Sequence, residues 1–287
     1  YLKNIEYFIL ASKKKGYSER VRSGKYIISR GVGNNEIINT LRSKPLTVNV
    51  TFNNQDIIGN LAKRISDQIE PDSIQLITSF FNSSFLEKNN LNKEDLISIF
   101  IPDSYDLYWN STADEFRDRM LAESKKFWNR SRTEKAKKIK LTPKEVIILA
   151  SIVDKETNNK GELVKIAGVY INRLSKNMKL QADPTVIYSI KKASTNYDTL
   201  IRRLYYKDLK FNSPFNTYLF KGLPPGPIGM PDISSIEAVL NYNGHDYLFF
   251  VADPYSKGGH NFSKSLREHN RKKKIYIDWL KRSKIYR

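Results

Sequence analysis

The 287-residue sequence predicts an α+β fold, with a small N-terminal module followed by a larger region of helices and short strands. A hydrophobic content of 40%, with 12% aromatic residues, is typical of a folded protein with a sizeable core. Most apolar residues recur every three or four positions, which indicates amphipathic helices. Short alternating or continuous apolar runs at 46–52 and 246–252 indicate strands.

We expect three consecutive regions along the chain. Residues 1–52 are predicted to form the small module, with a short strand at 26–28, a short helix around 37–41 and a strand at 46–52. Residues 53–140 are predicted to be a mostly helical connecting region. It is interrupted near Pro102, which disfavours helix in the preceding residue, and ends in a charged helix over about 112–138.

Residues 141–287 form the third predicted region, which ends in a basic helix. Its first helix has Thr142 at the cap, a proline at the first helical position and Glu145 in a capping box. The rest of the region is predicted, in order, to contain an amphipathic helix at 163–174, a short helix starting at Asp183-Pro184, an irregular Gly/Pro-rich loop at 222–231, a buried strand at 246–252 and the basic helix from Lys264.

The segment LASIVDKET, residues 149–157, ends the first helix of this region with two carboxylates. At about 100° per residue, Glu156 lies on the same stripe as the apolar Ile152 and Val153, whereas Asp154 points almost the opposite way. Desolvation at the end of an apolar stripe raises the pKa of a carboxyl group. Such a group can protonate a leaving oxygen in glycoside cleavage. The alternative is an ordinary charged residue at a fraying helix end.

Four further polar residues lie beside predicted breaks in secondary structure, where the backbone can approach a ligand: Gln181, Asp183, Asn216 and Tyr218. Amide, carboxylate and phenol groups suit a sugar polymer, which offers hydroxyl and acetamido groups. Each of these residues also has a structural interpretation; Asp183, for example, can cap the helix that starts at Pro184. Their occurrence within one region makes them candidate substrate-binding residues.

Several other chemistries lack their residues in this sequence. There are no cysteines, and the three histidines (His245, His260 and His269) have no metal-ligand spacing, so we predict no metal and no organic cofactor. Neither a nucleophile elbow nor a P-loop is present. The Gly258-Gly259-His260 segment is interpreted as an ordinary turn.

The chain carries 49 Lys and Arg against 30 Asp and Glu, a net charge of +19. This charge favours contact with polyanions, whether nucleic acid, anionic lipid or an anionic wall polymer. No recognised nucleic-acid-binding motif accompanies it, so we expect no specific nucleic-acid partner. No apolar run is long enough to span a membrane. The chain begins at Tyr1 without an initiator Met, and we expect that a signal or anchor preceded it.

Five collinear blocks between residues 141 and 270 resemble the MltG-type (YceG-like) endolytic murein transglycosylases. They are LTPKEVIILASIVDKET (141–157), IAGVYINRLSKNMKLQADPTVIY (166–188), SPFNTYLFKGLPPGPIGMP (213–231), DYLFFVAD (246–253) and GGHNFSKSLREHN (258–270). Nearer the N-terminus, residues 8–44 resemble the LysM-like module of the same family, and IPDSYDLY (101–108) is similar to its intervening segment.

The resemblance implies a substrate, a reaction and a location. The substrate is the peptidoglycan glycan strand, cut internally between N-acetylmuramic acid and N-acetylglucosamine without hydrolysis, to leave a 1,6-anhydro-muramoyl end. The implied role is to terminate glycan strand elongation, with peptidoglycan synthases as partners. The implied location is the cytoplasmic (inner) membrane of a bacterium, reached by one N-terminal helix, with the catalytic region on the extracytoplasmic side. No cofactor is implied.

The resemblance also implies roles for the candidate residues. Glu156 matches the catalytic acid, and Gln181, Asp183, Asn216 and Tyr218 match positions that line the cleft. The family usually has a second glutamate where this chain has Asp154, which favours Glu156 as the acid. Ala182 replaces a small hydroxyl residue of the family, so a hydroxyl contact at that position is not expected. The alternative functions are a hydrolytic muramidase and a non-catalytic peptidoglycan-binding protein.

Overall fold

A computed structural model describes residue 2 and residues 4–283, which form helices and short strands in an α+β arrangement. Among these residues the helices are, in chain order, α1 (Ile5–Lys14), α2 (Asn34–Arg42), α3 (Ile58–Ser66), α4 (Ser73–Phe80), α5 (Ser83–Lys88), α6 (Ala113–Phe127), α7 (Arg130–Lys138), α8 (Pro143–Glu156), α9 (Leu163–Ser175), α10 (Asp183–Ser194), α11 (Ile233–Leu240) and α12 (Leu266–Arg282). The strands are β1 (Thr47–Phe52), β2 (Asp103–Tyr108), β3 (Phe249–Ala252) and β4 (His260–Ser263).

The chain divides into two compact units that interleave along the sequence. The first comprises Tyr1–Phe52, Gly59–Phe80 and Asp103–Arg119. The second comprises Asn53–Ile58, Phe81–Pro102 and Met120–Arg287. The three predicted regions divide the chain by sequence order, whereas these units are defined by contacts between distant segments.

The first unit contains an antiparallel pair formed by β1 and β2, with Thr47 opposite Tyr108. The predicted strand at 46–52 is therefore confirmed, and its partner comes from far along the chain. The predicted strand at 26–28 is wrong: a single bridge between Lys25 and Leu46 forms beside it, and 26–28 joins no strand ladder. The α+β class is confirmed, while the LysM-like character of residues 1–52 stays a prediction.

The predicted helix over 112–138 is two helices. Trp128 and Asn129 separate α6 from α7, and the Asn129 side chain accepts a hydrogen bond from the backbone N–H of Arg132. This is an N-cap, which starts a new helix by satisfying one of its free N–H groups. The charge pattern continued across the break, so periodicity alone did not reveal it.

The core of the second unit is built around α8. The predicted capping box is confirmed: Thr142 and Glu145 exchange side-chain-to-backbone hydrogen bonds at its start. Every residue from Val146 to Val153 is buried, so α8 is enclosed on all sides. It packs against α9, α10 and α11. A helix buried all round is characteristic of a core element, and its two ends are the places where it meets solvent.

The Gly/Pro-rich loop at 222–231 is irregular, as predicted, and is fixed to α8. The backbone N–H of Ile228 donates to the Ser151 hydroxyl at 3.0 Å. Just beyond the loop, Asp154 Oδ1 accepts hydrogen bonds from the Asp232 backbone N–H at 3.1 Å and from the Ser235 hydroxyl at 2.8 Å. Asp154 therefore holds the start of α11 against the end of α8.

The C-terminal part of the second unit is a hairpin covered by a helix. β3 pairs with β4 in antiparallel register, Phe249 opposite Ser263, and α12 packs on both strands. The strand predicted at 246–252 is thus shorter than expected. The basic helix is confirmed, beginning at Leu266 with the Ser265 side chain as its cap. Over residue 2 and residues 4–283, no helix has the length and apolar character that crossing a membrane requires.

We predict that Asp154→Ala lowers the free energy of unfolding by about 1–3 kcal/mol, because it leaves the Asp232 N–H and the buried Ser235 hydroxyl without their acceptor. Asp154→Asn keeps one acceptor oxygen and is the matched control, with a smaller loss. Urea unfolding of the three proteins measures both values. Equal stability of Asp154→Ala and the wild-type chain would contradict this structural role.

Candidate active site

Glu156 is the last residue of α8, and its carboxylate is held by α9. The Tyr170 hydroxyl donates a hydrogen bond to Glu156 Oε1 at 2.5 Å. Tyr170 is itself almost fully buried, and its ring meets that of Phe250 edge to face, with centroids 6.0 Å apart. The carboxyl group therefore ends a buried helix and faces a buried phenol, as the helical stripe predicted for Glu156 rather than Asp154.

Burial raises the pKa of Glu156 to about 7, because the charged form loses its water. The hydrogen bond from Tyr170 lowers the pKa by stabilising the carboxylate, and the positive charge of Arg173 also lowers it. The negative charge of Asp183 raises the pKa further. With a pKa near neutrality, both protonation states of Glu156 are populated near pH 7, as acid–base catalysis requires.

Arg173 is a buried cation that the sequence interpretation did not single out. It is 8% exposed and donates to the backbone carbonyls of Leu248 at 2.7 Å and Leu180 at 2.6 Å. These bonds join α9 to the β3 side of the unit and to the segment before α10. Burial lowers the pKa of Arg173, but a guanidinium is basic enough to stay protonated at neutral pH, so it acts on Glu156 as a positive neighbour.

Asp183 and Tyr218 form a second hydrogen-bonded pair in the site. The Tyr218 hydroxyl donates to Asp183 Oδ1 at 2.6 Å, and burial raises the pKa of Tyr218 well above its usual value. Asp183 is the first residue of α10, and the cap position is Ala182, which offers no side-chain bond. The predicted helix cap at Asp183 is therefore wrong, and its exposed carboxylate faces Tyr218.

Gln181, which lies two residues before Asp183, has a strained backbone. Its φ is +49°, in the left-handed region that a residue with a side chain enters at a cost, and its backbone N–H donates to the Thr217 carbonyl at 3.1 Å. The side chain is exposed. Strain of this kind is often found where a side chain is held for ligand contact, so the geometry is consistent with the predicted substrate-binding role.

The structure does not support the predicted direct contact of Asn216 with substrate. Its side chain has no exposed surface, and its amide donates to the carbonyls of Leu209 at 3.1 Å and Phe211 at 2.8 Å. Its oxygen accepts from the backbone N–H of Tyr218 at 2.9 Å. The amide is thus used inside the loop, where it fixes the backbone that carries Tyr218.

A cavity of about 940 Å³ opens beside Glu156. One side is formed by the end of α8 and residues 157–159, and another by the turn between β3 and β4. Tyr276 and Trp279 of α12 also line it. This volume is near the upper end of the range of about 300–1,000 Å³ typical of ligand pockets. The candidate acid therefore faces a space that can accept a large ligand.

His260, interpreted from sequence as part of an ordinary turn, lines this cavity. Its Nδ1 lies 2.8 Å from Glu162 Oε2, and its backbone N–H donates to Glu162 Oε1 at 2.9 Å. The Glu162 carboxylate thus contacts both the ring and the backbone of His260 and fixes them at the start of β4.

Within the described ranges, no group of three or more His, Cys, Asp or Glu side chains could hold a metal ion.

The sequence of α9 carries a signal for Tyr170 and Arg173. With Ile166 they occupy one face at spacings of four and three residues, so a phenol and a cation interrupt an apolar stripe. Buried polar groups require partners. The contact of Tyr276 and Trp279 with the cavity left no comparable signal, because it depends on where α12 packs.

Comparisons with known proteins show which family the chain resembles. A model of the YceG-like family matches residues 1–275. A Bacillus subtilis (strain 168) protein named endolytic murein transglycosylase is 30% identical over 292 residues, covering 96% of this chain and 77% of that protein. A Streptococcus pneumoniae (serotype 2, strain D39) protein of the same name is 33% identical over 175 residues, covering 59% of this chain and 30% of the longer relative.

A solved structure also resembles this chain. The crystal structure of a YceG-like protein from Listeria monocytogenes aligns with a TM-score of 0.65 and 26% sequence identity, covering 94% of this chain and 90% of that one. The family model and the Bacillus relative both extend over nearly the whole sequence, including Glu156 and the residues around it. The chain therefore belongs to the YceG-like family.

Proposed function

We propose that this chain is an endolytic murein transglycosylase, which cuts peptidoglycan glycan strands internally between N-acetylmuramic acid and N-acetylglucosamine. The observation that carries the proposal is Glu156, a carboxylic acid with a pKa of about 7, hydrogen-bonded to Tyr170 and facing a cavity of about 940 Å³. The relatives named endolytic murein transglycosylase support the substrate and the reaction.

In the proposed mechanism Glu156 acts twice. The neutral acid donates its proton to the glycosidic oxygen as the bond to C1 of the muramoyl sugar breaks. The carboxylate then accepts the proton of the muramoyl 6-hydroxyl as that oxygen bonds to C1, which closes the 1,6-anhydro ring and restores the acid. No water is consumed. One carboxylate is sufficient because the nucleophile belongs to the substrate.

The neighbouring residues have distinct parts in this mechanism. Tyr170 and Arg173 stabilise the carboxylate that forms midway, and Asp183 favours the acid form at the start. Gln181, Asp183 and Tyr218 contact the sugars in our proposal, and Asn216 acts by holding the Tyr218 backbone. Oriented dipoles of this kind stabilise charge in a transition state because they are already in place.

The setting of the reaction belongs to the same proposal. We place the catalytic unit on the extracytoplasmic side of the cytoplasmic membrane, held by an N-terminal anchor, where it terminates strand elongation beside peptidoglycan synthases. A net charge of +19 favours a location next to anionic lipid and wall polymer. The LysM-like character of residues 1–52, supported by the sequence resemblance, is also part of this proposal.

We predict that Glu156→Gln lowers the rate of strand cleavage by at least about 100-fold, because glutamine cannot donate the proton. Asp154→Asn is the matched control and should retain most of the activity. Mass spectrometry of products from purified sacculi measures both. Anhydro ends, lighter by one water than hydrolysed ends, distinguish transglycosylation from muramidase activity, and the absence of turnover by the wild-type chain would favour a non-catalytic binder.

The pH dependence of kcat/KM should shift in opposite directions in two variants. Activity should fall as the pH rises through about 7, because Glu156 loses the proton it must donate. Tyr170→Phe removes a bond that lowers the Glu156 pKa, so the alkaline limb should move to higher pH. Asp183→Asn removes a negative charge that raises this pKa, so the limb should move to lower pH. Shifts of the same sign would contradict the assignment.

Stability should depend on pH through the same group. A carboxyl group with a raised pKa in the folded state favours folding below its unfolded pKa of about 4.5 and loses that contribution as the pH rises through about 7. Glu156→Gln should therefore be more stable than the wild-type chain at pH 8, by at most about 3 kcal/mol, and equally stable near pH 4. Urea unfolding at both pH values tests this. An equal difference at both would contradict the raised pKa.

A further inference from the structure

Helix α12 brings two aromatic residues to the cavity that holds Glu156. Tyr276 and Trp279, one helical turn apart, have ring centroids 6.2 Å apart and ring planes within 15° of parallel. Both side chains are partly exposed and both line the cavity. They lie beyond residue 275, where the match to the family model ends. The pair is therefore a feature of this chain that the family match does not cover.

The two rings are suited to contact with sugar rings. A pyranose ring has apolar C–H faces and a polar rim, and Trp and Tyr combine a large flat apolar body with one polar group. Two nearly parallel rings present their faces in one orientation. Tyr255, on the turn between β3 and β4, is 79% exposed and lines the same cavity. Aromatic surface is thus concentrated on the cavity walls formed by α12 and this turn.

The position of the pair on α12 distinguishes it from a membrane-binding face. At about 100° per residue, Tyr276 and Trp279 fall on the helix face that also carries His269 and Lys272. His269 stacks on Phe249 of β3 and Lys272 donates to the Phe262 carbonyl of β4, so this face packs on the hairpin. Among the exposed apolar residues of α12, Leu266 and Ile277 lie on one side of the helix and Ile275 lies on the opposite side, so the three form no single stripe. A helix that lies in a membrane interface needs one continuous apolar face.

We propose that Tyr276 and Trp279 form a sugar-stacking subsite for the glycan strand that is cut at Glu156. The inference rests on the proposed function. Because the pair shares the cavity with the acid, a strand whose scissile bond lies at Glu156 can extend along the cavity and place a sugar ring on the aromatic faces. The subsite binds the strand away from the bond that breaks, so it contributes to substrate affinity and not to the chemical step.

Kinetics on purified glycan strands test the subsite. We expect Trp279→Ala to raise KM about tenfold while kcat stays within about twofold, since the lost contact is equally strong in the ground state and the transition state. Trp279→Phe keeps a flat ring and should restore much of the affinity. Ile277→Ala, on the same helix, is the matched control with unchanged KM. An unchanged KM in Trp279→Ala, or a loss in kcat alone, would overturn the inference.

Tryptophan fluorescence reports directly on contact between Trp279 and a glycan strand. In a Glu156→Gln background, which binds strands without cutting them, adding glycan strands should change the tryptophan emission. That change should be lost when Trp279→Phe is combined with Glu156→Gln. Emission that responds equally with and without Trp279 would contradict the proposal. So would an unchanged KM in Trp279→Ala accompanied by weaker sedimentation with phosphatidylglycerol vesicles, since that result assigns the pair to a lipid surface.

The two proposals fail in different ways. Full cleavage activity in Glu156→Gln would contradict the proposed catalytic function. A dependence on Glu156 together with a wild-type KM in Trp279→Ala would contradict the stacking subsite alone.

Discussion

The burial of α8 on all sides is the constraint on which the rest of the site depends. Because every residue from Val146 to Val153 is enclosed, the helix has one fixed position in the second unit. Its last residue, Glu156, therefore leaves the core at a defined place, next to Tyr170 of the neighbouring helix. Packing that stabilises the fold also withholds water from one carboxyl group. The loss of water raises the pKa of Glu156, and our proposed mechanism depends on that raised pKa.

The two carboxylates at the end of α8 have separate tasks because they point in opposite directions. Asp154 accepts hydrogen bonds from Asp232 and Ser235 and is part of the scaffold. Glu156 has charged neighbours of both signs, Arg173 and Asp183, whose effects on its pKa oppose each other. Burial is the largest cause of the raised pKa, and charged neighbours of opposite sign leave it near neutrality, whereas a single strong charged partner would fix one protonation state.

Local patterns in the sequence were sufficient to predict α8, α9, α10 and α12, the capping box at Thr142 and the orientation of Glu156, because each depends on residues within a few positions of one another. Features that depend on distant contacts were not predictable in this way. The residues that pair β1 with β2 are 51 to 61 positions apart along the chain. The burial of Asn216 and the contact of α12 with the cavity also depend on how separate elements pack.

The walls of the cavity differ in how deeply their helices are buried. Glu156 ends a helix enclosed by a large core, whereas Tyr276 and Trp279 belong to a helix that packs on the hairpin of β3 and β4 and has no fully buried residue. Regions with few buried contacts open at lower free energy than the core, and amide hydrogen exchange resolves this difference. The cavity can therefore widen on the side of α12 while Glu156 keeps its position at the end of the buried helix.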